Sequence, residues 1–333
     1  MQRRKSARQA SLRRVSLLAI LALTASAFAQ DADTTIRART NVVLVPALVK
    51  DAQGGVVYNL DAGNFIVEDD GVAQPVHLDQ TPEGEPVSLV VAIEKGRRAN
   101  YEFDRMKGLT AMISPLFENG KTRVAVVEFD TYTKLVQPFT TDEAAVDDTL
   151  NNLRPGDNGA AILDAIDFSV ELLKKEAEGR ERVLLLISEA HDHGSAHKIS
   201  ETVVAIGQSN ALMYALAFSP GKSNILDTLE GKNLGEMHPG INFLDLGYRA
   251  GQAMRKNVPS TVVAMTGGEY ELFAGKNKFD MSLTSFTNHL HSRYLLSFSP
   301  KNPHAGLHQI RVRLKDAPND TVVARTTYWA DSQ

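Results

Sequence analysis

The middle of the chain alternates between short apolar runs and longer segments whose apolar residues recur at helical spacing. The runs 89–93, 182–188 and 212–218 are rich in Val, Ile and Leu, and such unbroken runs are typical of strands buried on both faces of a parallel sheet. Between them, residues 101–117 and 161–177 carry apolar positions at helical spacing, and residues 140–143 (Thr-Thr-Asp-Glu) have the pattern of a capping box with Thr140 as the N-cap of a further helix. This alternation predicts an α/β fold with a doubly wound, mostly parallel, Rossmann-like sheet, which we assign to residues 86–293.

Both ends of the chain have a second pattern, in which short β-rich segments are separated by turns. Segments of this kind lie at 40–50, 64–78, 294–299, 308–314 and 321–329. Apolar residues alternate with arginine in 309–314, which is typical of a strand with one buried face. We therefore predict a small antiparallel β-sandwich domain, formed by residues 30–82 together with residues 294–333, into which the α/β domain is inserted.

The N-terminus has the pattern of a secretory signal peptide. Six basic residues precede the apolar run 15–25, and Ala27 and Ala29 follow at the A-x-A spacing of a cleavage site. The run is shorter than the roughly 20 apolar residues of a permanent membrane helix. We predict a signal peptide over residues 1–29, cleavage after Ala29, and an exported protein, periplasmic or secreted, with no integral membrane segment after signal removal.

Charge and cysteine content narrow the class of function. The chain has 36 Lys and Arg and 40 Asp and Glu, and removal of the six basic residues near the N-terminus leaves 30 against 40, a net charge of −10. This acidic balance argues against nucleic acid and anionic membrane surfaces as partners. Because the chain has no cysteine, it has neither disulfides nor thiol nucleophiles.

Three motifs, in this order, carry a resemblance to a known family. Residues 64–71 (Asn-Phe-Ile-Val-Glu-Asp-Asp-Gly) are similar to a "DF-x-V-x-E-D-G" hairpin, residues 266–268 to an "ETGG" turn, and residues 293–300 to a "YVLGYYP" strand. Together they resemble the von Willebrand factor A-related domain proteins of the acidobacterial type. The resemblance implies an A-type α/β domain and a non-enzymatic role in protein interaction or adhesion.

The resemblance also implies the positions of a binding site. A-type domains hold a divalent cation at a metal-ion-dependent adhesion site through an Asp-x-Ser-x-Ser, a later Thr and a later Asp, since hard cations such as Mg²⁺ prefer oxygen ligands. Carried over, these positions are Glu94, Gly96, Arg98, Ala160 and Glu189. Two carboxylates are kept in lengthened form and all three hydroxyls are lost. We therefore predict metal-independent binding and no cofactor, with a divalent cation such as Mg²⁺ as the alternative.

Arg98 supports a more specific hypothesis. A guanidinium group matches carboxylates bidentately, so Arg98 could occupy the place of the metal and pair with Glu94 or Glu189. Alternatively, Arg97 and Arg98 simply begin a solvated helix.

Other candidate chemistry is concentrated in residues 191–193 (His-Asp-His), beside Glu189. We predict a solvated turn there, because a zinc site needs three or four converging ligands, and metal binding is the alternative. The chain has no G-x-S-x-G motif for a serine nucleophile. We predict no enzymatic activity and a protein partner of unknown identity. The alternatives are an extracytoplasmic hydrolase that uses Glu94, Glu189 and Asp192, and a structural envelope component.

Overall fold

The computed structural model describes residues 42–79, 86–96, 99–106, 108–118, 120–218 and 243–331, all within one compact unit. The predicted signal peptide, Arg97 and Arg98 lie outside the described residues. Within the described part, no helix is both long enough and apolar enough to cross a membrane.

Strands occur along the whole of the described chain. They are β1 (Val43–Lys50), β2 (Phe65–Asp69), β3 (Val72–Gln74), β4 (His77–Asp79), β5 (Val87–Glu94), β6 (Arg123–Phe129), β7 (Thr133–Thr140), β8 (Glu181–Ser188), β9 (Leu212–Phe218), β10 (Tyr270–Phe273), β11 (Tyr294–Phe298), β12 (Gly306–Leu314), β13 (Thr321–Ala324) and β14 (Thr327–Ala330).

The α-helices of the described residues all lie between β5 and β11. They are α1 (Phe103–Met106), α2 (Leu109–Ile113), α3 (Glu143–Asn151), α4 (Ile162–Lys174), α5 (Ile199–Ser209), α6 (Phe243–Lys256), α7 (Val258–Thr266) and α8 (Lys276–Leu290).

The central sheet has six strands in the order β10-β9-β8-β5-β6-β7. Every neighbouring pair is parallel except β6 and β7, which are antiparallel. After β5 the chain continues to β6 and β7 on one side and then to β8 on the other, so the carboxyl end of β5 is a topological switch point. The predicted doubly wound, mostly parallel sheet is confirmed.

Apolar side chains cover both faces of this sheet. Val90 and Ala92 of β5 belong to the core beneath α4, α5 and α7, whereas Leu89, Val91 and Ile93 belong to the core beneath α2 and α8. All eight residues of β5 are buried. The uninterrupted apolar run in the sequence therefore corresponds to burial on two faces, as a central parallel strand requires.

The flanking β part, which comprises β1–β4 and β11–β14, forms two four-stranded sheets. Their orders are β13-β1-β11-β4 and β14-β12-β2-β3. Strands from the two ends of the chain pair with each other, since β1 is antiparallel to β11 and β2 is antiparallel to β12. Val45, Phe65, Phe298 and Ile310 from both sheets share one apolar cluster. The domain bounds 30–82, 86–293 and 294–333 stay a prediction.

Two local features differ from the sequence expectations. The single helix expected over 101–117 is interrupted at Gly108, whose φ is +91°. The capping box expected at Thr140 is replaced by Asp142, whose side chain accepts the N–H groups of Ala144 and Ala145. Thr140 is still part of β7 and pairs with β6, so it lies two residues before the N-cap position that Asp142 occupies.

Candidate functional site

The carboxyl ends of β5, β6 and β8 meet at one edge of the central sheet, where the strand order reverses. Ligand sites of open α/β sheets lie at edges of this kind. Four loops form this surface, which we call the upper edge: residues 95–96, 130–132, 154–160 and 189–198.

Two buried glutamates lie at the base of the upper edge. Glu94 is 1% exposed and Glu189 is 3% exposed. The backbone N–H of Glu189 donates to Oε2 of Glu94 at 2.8 Å. The structure thus brings the two acidic residues of the predicted site together, with one carboxylate oxygen of Glu94 engaged by the protein backbone.

Gly96 is enclosed by the loop 154–160. A Cβ atom at position 96 would lie 2.4 Å from the carbonyl oxygen of Gly159 and 3.3 Å from Oε1 of Glu94. The first of these neighbours is backbone and cannot rotate away. The packing therefore leaves no space at position 96 for a serine side chain, which the resemblance implies there.

Ala160 is buried at the same edge and is held through its main chain. Its N–H donates to the carbonyl of His193 at 3.1 Å, and the N–H of His193 donates to the carbonyl of Ala160 at 2.8 Å. The methyl side chain has no atom that could bind a cation. The loops 154–160 and 189–198 are therefore joined by backbone hydrogen bonds at the position where the resemblance implies a threonine ligand.

Two aspartates that the sequence analysis did not single out shape the loop 154–160. Oδ1 of Asp157 accepts the N–H groups of Gly159 (2.8 Å) and Thr131 (3.1 Å), and these hydrogen bonds, led by that from Gly159, lower the pKa of Asp157. Asp130 accepts the N–H groups of Tyr132 at 3.0 Å and Asp157 at 3.3 Å. Turns that contain both Asp and Gly were the available signal.

Lys95 places a fixed positive charge beside the loop. Its Nζ lies 3.0 Å from Oε1 of Glu128 and 3.5 Å from Oδ2 of Asp130. Burial would lower the pKa of Lys95, but the hydrogen bond to Glu128 and the charge of Asp130 raise it overall. An ammonium group in this position opposes a second cation by like-charge repulsion.

The side chain of Asp192, in the predicted His-Asp-His turn, accepts hydrogen bonds that hold the loop 189–198 to the start of α4. Its Oδ1 accepts the N–H of Leu163 (3.1 Å) and the hydroxyl of Ser195 (2.5 Å), so it satisfies the first turn of α4. His191 and His193 are exposed, and Nε2 of His193 lies 3.6 Å from Oε1 of Glu189. The contacts of Asp192 favour the turn interpretation.

Asp164 fixes the end of the loop 189–198. Its carboxylate accepts the N–H groups of Ala196 (3.0 Å) and His197 (2.8 Å) and lies 2.9 Å from Nδ1 of His197. Burial would raise the pKa of Asp164, but these hydrogen bonds lower it. The contact with Asp164 raises the pKa of His197. This anchoring pair was not predicted, since its two residues are 33 positions apart.

Comparison with known proteins identifies a similar domain family for part of the chain. Residues 93–191, from the end of β5 to the loop after β8, match the family model of the von Willebrand factor type A domain. This part of the chain is similar to an A-type domain. The predicted resemblance is thereby confirmed at the level of the domain, and we call residues 93–191 the A-type region. No curated protein matches the chain.

Several solved structures are similar to this chain at low sequence identity. The conserved hypothetical protein BatB from Bacteroides thetaiotaomicron is 16% identical, with a TM-score of 0.41, over 61% of this chain and 97% of that chain. The PilB minor pilin from Streptococcus sanguinis is 11% identical, with a TM-score of 0.43, over 64% and 63%. The vWF domain of the type V pili tip protein Mfa5 from Porphyromonas gingivalis is 15% identical, with a TM-score of 0.29, over 32% and 39%. The chain spans less than two thirds of the PilB and Mfa5 structures.

Proposed function

We propose that the chain is an exported, non-enzymatic protein-interaction module whose upper edge binds a protein partner without a metal ion. The match of residues 93–191 to the A-type domain supports an interaction role. The observation that carries the metal-free part is the contact at Gly96, where a Cβ would lie 2.4 Å from the Gly159 carbonyl oxygen.

The donor atoms at the edge also favour metal-free binding. Mg²⁺ demands near-octahedral oxygen coordination at about 2.0–2.1 Å. Gly96 and Ala160 stand at two of the hydroxyl positions and supply no side-chain oxygen. One oxygen of Glu94 accepts a backbone N–H, and Lys95 adds a positive charge 3.5 Å from Asp130.

The burial of the carboxylates argues against the hydrolase alternative. A general acid or base must come within hydrogen-bond reach of its substrate, yet Glu94 and Glu189 are only 1% and 3% exposed. Asp192 accepts hydrogen bonds from Leu163 and Ser195. These three residues have structural contacts that account for their positions.

The exposed side chains of the upper edge suggest where a partner binds. Tyr132, in the turn between β6 and β7, is 78% exposed, and Asp157, Asn158 and His191 are exposed on the other loops of the upper edge. Aromatic residues are enriched among those that dominate binding energy at protein interfaces. We therefore assign Tyr132 as the main contact residue of the proposed interface.

Thermal melting with and without Mg²⁺, Mn²⁺ and Ca²⁺ tests the metal-free part. A ligand at 100 times its Kd adds about 2.7 kcal/mol to the stability of the folded state, so a bound ion would raise the melting temperature by several degrees. We expect no shift with Mg²⁺ or Ca²⁺. A saturable shift that Glu189→Gln abolishes would contradict the proposal.

Affinity capture from envelope fractions tests the interface. Tyr132→Ala should reduce recovery of the partner that wild type captures, whereas Tyr248→Ala, which removes a 67% exposed tyrosine from α6, should not. Equal losses in both variants would remove Tyr132 from the interface. Turnover of glycoside, ester or peptide substrates that is abolished by Glu94→Gln would instead establish the hydrolase alternative.

A further inference from the structure

We propose that Asp70, His304 and His308 form a binding site for a borderline divalent cation such as Zn²⁺. The site belongs to the flanking β part and does not depend on the function proposed for the upper edge. Within the described residues, these three side chains are a group whose potential ligand atoms all lie within 4.8 Å of one another.

The distances fit a site that closes slightly when no ion is bound. Oδ2 of Asp70 lies 2.8 Å from Nδ1 of His308 and 3.1 Å from Nε2 of His304. Ligands at 2.0–2.1 Å from a tetrahedral Zn²⁺ are about 3.3 Å apart. A few tenths of an ångström added to each of these two distances would match tetrahedral spacing. The exposed His304 ring stacks on His308 with centroids 3.9 Å apart and an interplanar angle of 21°, so it must also turn out of this stack for both lone pairs to reach one ion.

Both histidines present the correct nitrogen to this site. Nε2 of His308 lies 2.8 Å from the carbonyl oxygen of His304, and Nδ1 of His304 lies 3.3 Å from the carbonyl oxygen of Ala305. A carbonyl can only accept, so each of these nitrogens carries a proton. In the neutral rings, the lone pairs are then on Nδ1 of His308 and Nε2 of His304, the two atoms that face Asp70. Metal-ligating histidines usually donate their other ring nitrogen in this way.

The local backbone aims the Asp70 carboxylate. Asp70 and Gly71 have φ values of +49° and +80°, as in the Asp-Gly hairpin turns that join β-strands. Oδ1 of Asp70 accepts the N–H of Gln309 at 2.9 Å, which leaves Oδ2 directed at the two imidazoles. The oxygen that would bind the metal is therefore positioned before any ion arrives.

Two buried atoms at the site lie close to polar neighbours without an aligned hydrogen bond. These are Nδ1 of His308 and Oδ1 of Asp69, which lie 3.3 Å apart. His308 is 0% exposed and Asp69 is 4% exposed, so water does not compensate at their surface. Tyr328 stacks on His308 with ring centroids 4.5 Å apart and donates its hydroxyl to Oδ2 of Asp69. A proton on Nδ1 that is shared with Asp69 and Asp70 satisfies both atoms, and so would a cation in its place, with Asp69 or water as a fourth ligand.

The donor set selects the class of cation. Imidazole suits Zn²⁺, Cu²⁺ and Ni²⁺, whereas Mg²⁺ and Ca²⁺ prefer oxygen. His304 and Asp70 are exposed, so an ion can enter from solvent. A proton competes for the same nitrogen, because Asp69 and Asp70 raise the pKa of His308 to about 10 although burial would lower it.

Calorimetric titration of EDTA-treated protein with ZnCl₂ at pH 7.5 or above tests the proposal. We expect saturable binding of one Zn²⁺ per chain, and tetrahedral d–d bands when Co²⁺ is used. His304→Ala should weaken binding at least about 10-fold, since loss of an outer-sphere partner already costs 10–100-fold. Asp70→Asn should weaken it similarly, because Asn tolerates a positive φ and can still accept from Gln309.

Matched variants distinguish this site from adventitious binding. His77→Ala removes another exposed histidine, from β4, and should leave the affinity unchanged. Circular dichroism of each variant checks that the fold is retained. The proposal is overturned if wild type shows no saturable binding, if His304→Ala and Asp70→Asn both bind like wild type, or if the double variant His191→Ala/His193→Ala abolishes binding instead.

Discussion

Substitution of Gly96 by alanine tests the packing of the upper edge directly. The new Cβ would lie 2.4 Å from the Gly159 carbonyl oxygen, so one of the two backbones must move. The loop 154–160 resists this movement, because the N–H of Gly156 donates to the Lys95 carbonyl at 2.7 Å and Asp157 holds Gly159. Overpacking of this kind costs about 1–3 kcal/mol. The same cost applies to Gly96→Ser, which would restore the expected hydroxyl.

Urea denaturation and thermal melting measure this cost against a matched glycine. A Cβ at Gly63 would meet no atom within 4 Å, so Gly63→Ala should be neutral or stabilising by up to about 1 kcal/mol. For Gly96→Ala we expect a lower urea midpoint and a melting temperature lower by about 2–4 °C per kcal/mol. If Gly96→Ala proved as stable as wild type, the close approach of the two loops, and with it the steric argument against a metal site, would be wrong.

Two further predictions concern the loop 189–198. The pKa of Asp164 is lowered in the folded state, so its contribution to stability is lost as the pH falls below about 4. The pKa of His197 is raised in the folded state, so its contribution is complete below about pH 6.5 and is lost as the pH rises through the pKa of His197 in the folded protein. Hence His197→Ala should flatten the decline in urea midpoint between pH 6 and pH 8, and an unchanged profile would contradict the pairing. Asp192→Ala should cost about 1 kcal/mol, since the Leu163 N–H and the Ser195 hydroxyl lose their acceptor. Asp192→Asn keeps an acceptor oxygen and should cost less; equal urea midpoints for the two variants would refute this role.

The central fold could be predicted because its signals are local. The run in β5 is apolar at successive positions because both faces are buried, and this alone distinguishes a central parallel strand from an amphipathic one. The break at Gly108 could not be predicted, since the apolar spacing continues across it. The start of α3 at Asp142 depends on how far β7 extends along β6, which is a property of strand pairing.

The candidate sites were predictable only where chain topology implies proximity. Glu94 is the last residue of β5 and Glu189 follows β8, and these two strands are adjacent and parallel in the sheet, so the two glutamates meet. Asp70 and His304 are 234 positions apart, and no spacing rule connects them. One signal was present, because His308 and the buried Ile310 are two positions apart on β12 and therefore lie on the same face of the strand. A histidine on an apolar strand face requires a buried polar partner.

The metal-free binding proposed for the upper edge and the zinc site proposed for the flanking β part can be tested independently, because hard and borderline cations prefer different donor atoms. The upper edge offers oxygen from buried glutamates, whereas the cluster on the flanking β part offers two imidazoles and a carboxylate. A rise in melting temperature with Mg²⁺ that Glu189→Gln removes and His304→Ala leaves intact would refute metal-free binding while the zinc proposal stood. A rise with Zn²⁺ that only His304→Ala removes would support the zinc site whatever the upper edge binds. Because each variant affects one set of donors, neither outcome can be mistaken for the other.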